Sequence, residues 1–210
     1  MINSNFVLLG ALINVLGGFS YIKDTLLGKI QPNRVSWGLW AVNVAIAFSA
    51  EVTQGVGIIS LATFMTGFIP LLIFLATFVN KKAYWKLTKF DGFCAILSVF
   101  GLVLWYFTKV GNLAILFSIF ADFAAGIPTL VKSYKYPESE NWIEFLSSFI
   151  SVAIALLTIK IWKFAYFAFP LYILIFDFIA IMFVKFKLGK KISYLYHSST
   201  YFFPRISSGK

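Results

Sequence analysis

Seven apolar stretches follow one another along this chain with almost no charge inside them: Phe6–Ile22, Val35–Ala50, Val56–Val79, Gly92–Phe107, Leu113–Val131, Trp142–Ile159 and Phe164–Val184. Crossing a hydrocarbon core takes about 20 helical residues at ~1.5 Å each, with a working range of roughly 17–25. Five of the stretches meet that minimum. Val35–Ala50 and Gly92–Phe107 meet it only when flanking residues are counted. Backbone polar groups cannot go unpaired in lipid, so each stretch is expected to be helical. The fold class that follows is an all-α membrane protein with seven transmembrane helices.

Composition closes the water-soluble route. Apolar residues make up 60% of the chain and charged residues 12%, and the charges gather between the stretches instead of spreading over a surface. The first stretch reads as a permanent helix: residues 1–5 contain no Lys or Arg, and no Ala-x-Ala site follows it. With seven crossings, one side collects 15 of the 18 Lys and Arg: Lys23, Lys29, Arg34, Lys81, Lys82, Lys86, Lys89, Lys132, Lys135 and six from Lys185 to Lys210. The other side holds Lys109, Lys160 and Lys163. The positive-inside rule then predicts an outside N-terminus and a cytoplasmic C-terminus, in the plasma membrane. The net charge of +10 is explained by this inner rim facing anionic lipid headgroups, not by nucleic acid. Cys94, alone and inside the fourth stretch, reads as a small packing residue.

The chain also resembles itself at half its length. Pro32 and Trp37 recur as Pro137 and Trp142, 105 residues on; Gly10, Asn14 and Gly18 match Ser118, Asp122 and Gly126 at 108; Pro70 matches Pro170 at 100. Ser36 and Asn141, each directly before its Trp, read as helix caps. The implied plan is a three-helix repeat over residues 1–80, a linker helix over 81–110, a second three-helix repeat over 111–185, and a basic cytoplasmic tail over 186–210. Parallel repeats of this kind are a transporter design, with the binding site between them near the bilayer midplane.

In this plan, and in the segment Pro32-Asn33-Arg34-Val35-Ser36-Trp37 through Trp40, the chain resembles the SWEET and PQ-loop group of small transporters. The resemblance implies the 3+1+3 arrangement and the same orientation. The Pro-Gln dipeptide of that group is absent; Pro128-Thr129 and Ser20-Tyr21 stand in its place, and helices two and six carry no internal proline. That sets the chain apart from proline-hinged sugar facilitators.

Ionisable residues at bilayer depth cost ~2.5–3.5 kcal/mol on insertion scales, so each is a candidate for function. Asp122 and Asp177 sit near the middle of helices five and seven, with polar, uncharged Asn14 and Thr77 as repeat partners. Both are proton-coupling candidates. Glu51, at the outer rim of helix two, is expected to reach the headgroups, and Glu144 to complete the cap of helix six. Trp37, Trp40 and Asn43 share a face of helix two, as Trp142, Phe145 and Ser148 do in helix six. Trp37 and Trp142, at helix starts, read as interfacial anchors. The substrate-binding set is therefore Asn14, Trp40, Asn43, Asp122, Ser148 and Asp177, with Pro128, Gly18 and Gly126 as hinge candidates.

No convergent nucleophile, base or metal set appears, and the single histidine, His197, lies in the tail, so neither an enzyme nor a cofactor is expected. A retinal photoreceptor would need a lysine inside Phe164–Val184, which has none. Two functions remain. The favoured one is carriage of a small polar solute, a sugar or another small metabolite, with proton coupling available through Asp122 and Asp177. The alternative is a non-transporting receptor, sensor or assembly partner, since a fold alone does not decide function.

Overall fold

The structure is a computed structural model that describes residues 2–108, 111–192 and 194. Seven α-helices make up most of the described residues, among which no strand occurs. They are α1 (Phe6–Leu26), α2 (Arg34–Thr53), α3 (Ser60–Ala76), α4 (Lys89–Thr108), α5 (Gly111–Lys135), α6 (Trp142–Thr158) and α7 (Phe164–Val184), with short 3-10 turns at Gly57–Ile59 and Pro137–Ser139. Five spans are long and apolar enough to cross a bilayer: α1, α2, Gly57–Ala76, α5 and α7. Large apolar side chains such as Leu8, Leu12, Leu16 and Phe19 of α1 and Phe93, Ile96 and Phe100 of α4 point outward. Water would not tolerate so continuous an apolar exterior. This is a helical, multi-pass membrane protein.

Helix ends correct the sequence boundaries. The second stretch looked short because it stopped at charged residues, yet α2 begins at Arg34 and includes Glu51. Arg34 is accommodated because its Nε donates to Thr77 Oγ1 at 3.0 Å and its Nη2 to the Thr77 carbonyl at 2.6 Å. The Phe78 and Tyr84 rings flank the guanidinium at 4.4 and 4.3 Å. One arginine thus caps the end of α3 while opening α2. The side chain capping α2 is Asn33, whose Oδ1 accepts from Val35 N at 3.0 Å, and not Ser36, which lies inside the helix. Asn141 caps α6, accepting from Ile143 N at 2.8 Å. The tail beyond residue 194, with His197, Arg205 and Lys210, and Lys109 between α4 and α5, fall outside the described residues.

The packing has a paired pattern. α1 lies against α3 and α6; α5 lies against α7 and α2; α2 lies on α3, and α6 on α7. Renaming α1, α2 and α3 as α5, α6 and α7, and the reverse, turns each of these contacts into another of them. α4 breaks the pattern. It packs on α5 and, more lightly, on α2, so the α2–α5 seam is covered. No equivalent helix covers the α1–α6 seam among the described residues.

Candidate functional site

Small residues on α5 create the site. Ala121, Ala124, Ala125 and Gly126 are buried, which lets α2 and α7 approach closely. The Trp40 indole donates to the Asp122 carbonyl at 3.1 Å. At Gly126 a Cβ would fall 2.5 Å from the Phe176 ring and 3.1 Å from Trp40, so glycine is required for both aromatics to sit where they do. Asp122, 2% exposed, accepts through Oδ2 from the Tyr172 hydroxyl of α7 at 2.8 Å. Its Oδ1 has no hydrogen-bond partner.

These groups border a cavity of about 40 Å³ between α2, α3, α5, α6 and α7. One wall is aromatic: Trp37, Trp40, Phe145 and Phe176, with the two indoles 5.0 Å apart edge to face and Trp40 5.5 Å from Phe176. The other is acidic: Asp122, Asp177 and Glu144. Asp177 is 5% exposed, its carboxyl set against the Ser148 hydroxyl, and its Oδ2 is unpartnered. Glu144 is 4% exposed and accepts weakly from Ser147 Oγ at 3.4 Å. Neither Lys nor Arg lines the cavity. Among the described residues no His, Cys, Asp and Glu group is disposed to hold a metal ion.

Four of the six residues expected to bind substrate meet here: Trp40, Asp122, Ser148 and Asp177. Asn14 and Asn43 are not on the lining. Asn43 turns to the linker helix and donates to Ser98 Oγ of α4 at 3.1 Å. Asn14 is wholly buried with neither amide atom partnered, on the face of α1 that meets α6, where Gly10 opposes Ser151 and Gly17 opposes Ser147 and Glu144. The hinge candidates do not interrupt their helices: α1 runs through Gly18, and α5 through Gly126 and Pro128. Gly18, like Gly126, serves close approach, in its case to Ile69 of α3.

Three readings change. Glu51 does not reach solvent; it is 1% exposed and accepts from Thr63 Oγ1 at 3.0 Å, because α3 packs across that face of α2. Trp37 is no interfacial anchor, being 2% exposed with its ring 4.7 Å from Tyr21. Glu144 lines the cavity in addition to opening α6. The helical spacing of Glu144, Ser148 and Ser151 marks a buried polar stripe that a first-turn cap does not need, and this was the available signal.

A second polar cluster lies toward the basic end of the bundle. Lys132 of α5 places Nζ 2.5 Å from Glu140 Oε1, both side chains being almost completely buried. The same ammonium donates to the Gln31 carbonyl at 2.5 Å and lies 5.1 Å from the centre of the Trp85 ring. The Tyr21 hydroxyl of α1 donates a short hydrogen bond to Glu140 Oε2. Nearby, Asn141 Nδ2 donates to Asp24 at 2.7 Å and to Ser20 at 3.2 Å, and Asn33 Nδ2 to Asp91 at 2.7 Å. Nothing in the sequence pairs Lys132 with Glu140. At the opposite end, Ile2 N donates to the Leu157 carbonyl at 3.2 Å and the Tyr166 hydroxyl to the Gly55 carbonyl at 3.1 Å.

Comparison with protein-family models, with curated proteins and with solved structures gives no match for this chain.

Proposed function

We propose that this chain is a plasma-membrane carrier for a small polar solute, working by alternating access between α1–α3 and α5–α7, with α4 as the linker. The observation that carries the reading is the cavity: it lies between the two three-helix groups, takes its lining from both, and includes two acids that each keep an unpartnered carboxyl oxygen. A passive scaffold gains nothing from such groups, because an unsatisfied buried polar atom costs free energy. The exchangeable packing of the two groups supports a parallel repeat of the SWEET and PQ-loop kind. The preponderance of Lys and Arg at one end supports a cytoplasmic placement of that end.

On this reading the Lys132–Glu140–Tyr21 cluster is the inner closure. It joins α5 and the α5–α6 turn to α1 and the α1–α2 loop, so separating the two groups on that side requires breaking it. Asp122 and Asp177 would exchange a proton with the solute as the cavity changes sides. The test is proton movement in proteoliposomes that contain a pH-sensitive dye, driven by gradients of sugars, amino acids or amines. One solute class is expected to drive it, and Asp122→Asn to abolish it while the protein remains folded. Solute-independent behaviour across all three classes would refute carriage and favour a receptor or assembly role.

A further inference from the structure

We infer that the cavity selects a small organic cation, an alkylammonium group of about two or three heavy atoms, a conclusion that rests on its being a solute site. Three features converge. The first is charge. Asp122, Asp177 and Glu144 face the space with no Lys or Arg among the lining residues, and the buried cation toward the basic end, Lys132, is already committed to Glu140 and the Gln31 carbonyl. A group bringing positive charge lets these acids ionise; a carboxylate-bearing or phosphorylated solute gives them no counter-charge.

The second is the set of vacant acceptors. Asp122 Oδ1 and Asp177 Oδ2 are both in side chains more than nine-tenths buried and both lack a donor. An ammonium group carries up to three N–H donors and can serve the two acids at once, with Ser148 beside them. The aromatic part of the lining suits the same ligand. Trp37, Trp40, Phe145 and Phe176 present aromatic rings, which attract a desolvated cation through their quadrupoles. A metal ion would find no oxygen on that wall.

The third is size. A water needs roughly 10–15 Å³ of such space, so about 40 Å³ holds about three waters, or an ammonium with a carbon or two. A hexose, with about a dozen heavy atoms, exceeds this volume.

Trp37 and Trp40 make binding visible. Purified full-length protein is titrated at fixed pH and constant ionic strength with methylammonium or ethylammonium chloride, and separately with sodium chloride, glucose and sodium acetate. The expected result is a saturable change in tryptophan emission and a higher melting temperature with the alkylammonium salts alone. Asp122→Asn and, as a second variant, Ser148→Ala should weaken that affinity by tenfold or more and by a few fold, respectively. Melting without ligand checks that each variant folds. A response to glucose in place of alkylammonium overturns the inference, as does an equal response to sodium, or a response to pH with none to added cation. Alkylammonium binding without uptake into proteoliposomes would instead remove the carrier reading and leave the site. Uptake of a neutral solute without alkylammonium binding would do the reverse.

Discussion

Two groups of buried acids in this bundle differ in one respect only, how completely they are answered. Toward the basic end, Glu140 meets an ammonium and a phenol, and Asp91 meets Asn33 and Thr88. In the cavity, Asp122 has one donor, Asp177 leaves one oxygen unpartnered, and Glu144 has a long, weak contact. Burial is equal; satisfaction is not. Inside lipid, where water cannot fill the gap, a saturated acid holds helices together and an unsaturated one is kept at a cost that only a ligand or a proton relieves.

Breaking the saturated side should have the largest effect on stability. Glu140→Ala leaves the Lys132 ammonium buried without its partner and is expected to destabilise the fold by about 3–5 kcal/mol, read as a fall in melting temperature of the purified protein. Joint neutralisation as Lys132→Met with Glu140→Gln should recover most of that loss, and failure to recover would mean the Tyr21 contact, not the ion pair, matters. Gly126→Ala attacks the wall of the open side. The added methyl must displace the Phe176 ring, costing about 1–3 kcal/mol and narrowing the cavity, so ligand-induced changes in tryptophan emission should shrink with it.

Asp122→Asn should cost less than about 1 kcal/mol, because the Tyr172 hydroxyl can still donate to the amide oxygen, while solute-driven proton movement is lost. A large loss of stability here would place Asp122 with the structural acids and erase the contrast. The smallest effect belongs to the exposed Lys190–Glu138 pair, 2.8 Å apart with both side chains at least half exposed. Glu138→Gln should change stability by well under 1 kcal/mol. Its hydrogen bond from Lys190 holds the Glu138 carboxyl below the ordinary glutamate range. The pair's contribution is therefore complete above that range and is lost as pH falls through the depressed value. A pH titration of melting temperature, wild type against variant, should converge at the acid end.

The helices were legible in the sequence because lipid imposes one rule on every long apolar stretch. Their ends were less so. Arg34 and Glu51 looked like boundaries because charge usually marks water, whereas here Thr77 with two rings, and Thr63, take them into the bundle. Trp40, Asp122, Ser148 and Asp177 were found through depth and repeat spacing. The repeat misled in one place for a definite reason. Asn43 and Ser148 are matched in sequence, but α4 covers α2 and, among the described residues, no helix covers α6 in the same way, so Asn43 is drawn to Ser98 while Ser148 stays on the cavity. Glu144 was missed because a first-turn carboxylate already has an explanation. Only the closeness of α1, made possible by Gly17, forces it inward.

The one-sided position of α4 carries a consequence for how the bilayer itself acts on the molecule. The α2–α5 seam is padded by α4, whereas among the described residues no helix pads the α1–α6 seam, and the outer face of α1, with Leu8, Leu12, Leu16 and Phe19, is left to acyl tails. Changes in tail length or saturation press on that flank first, which makes lipid composition a lopsided influence on any motion that parts α1 from α6.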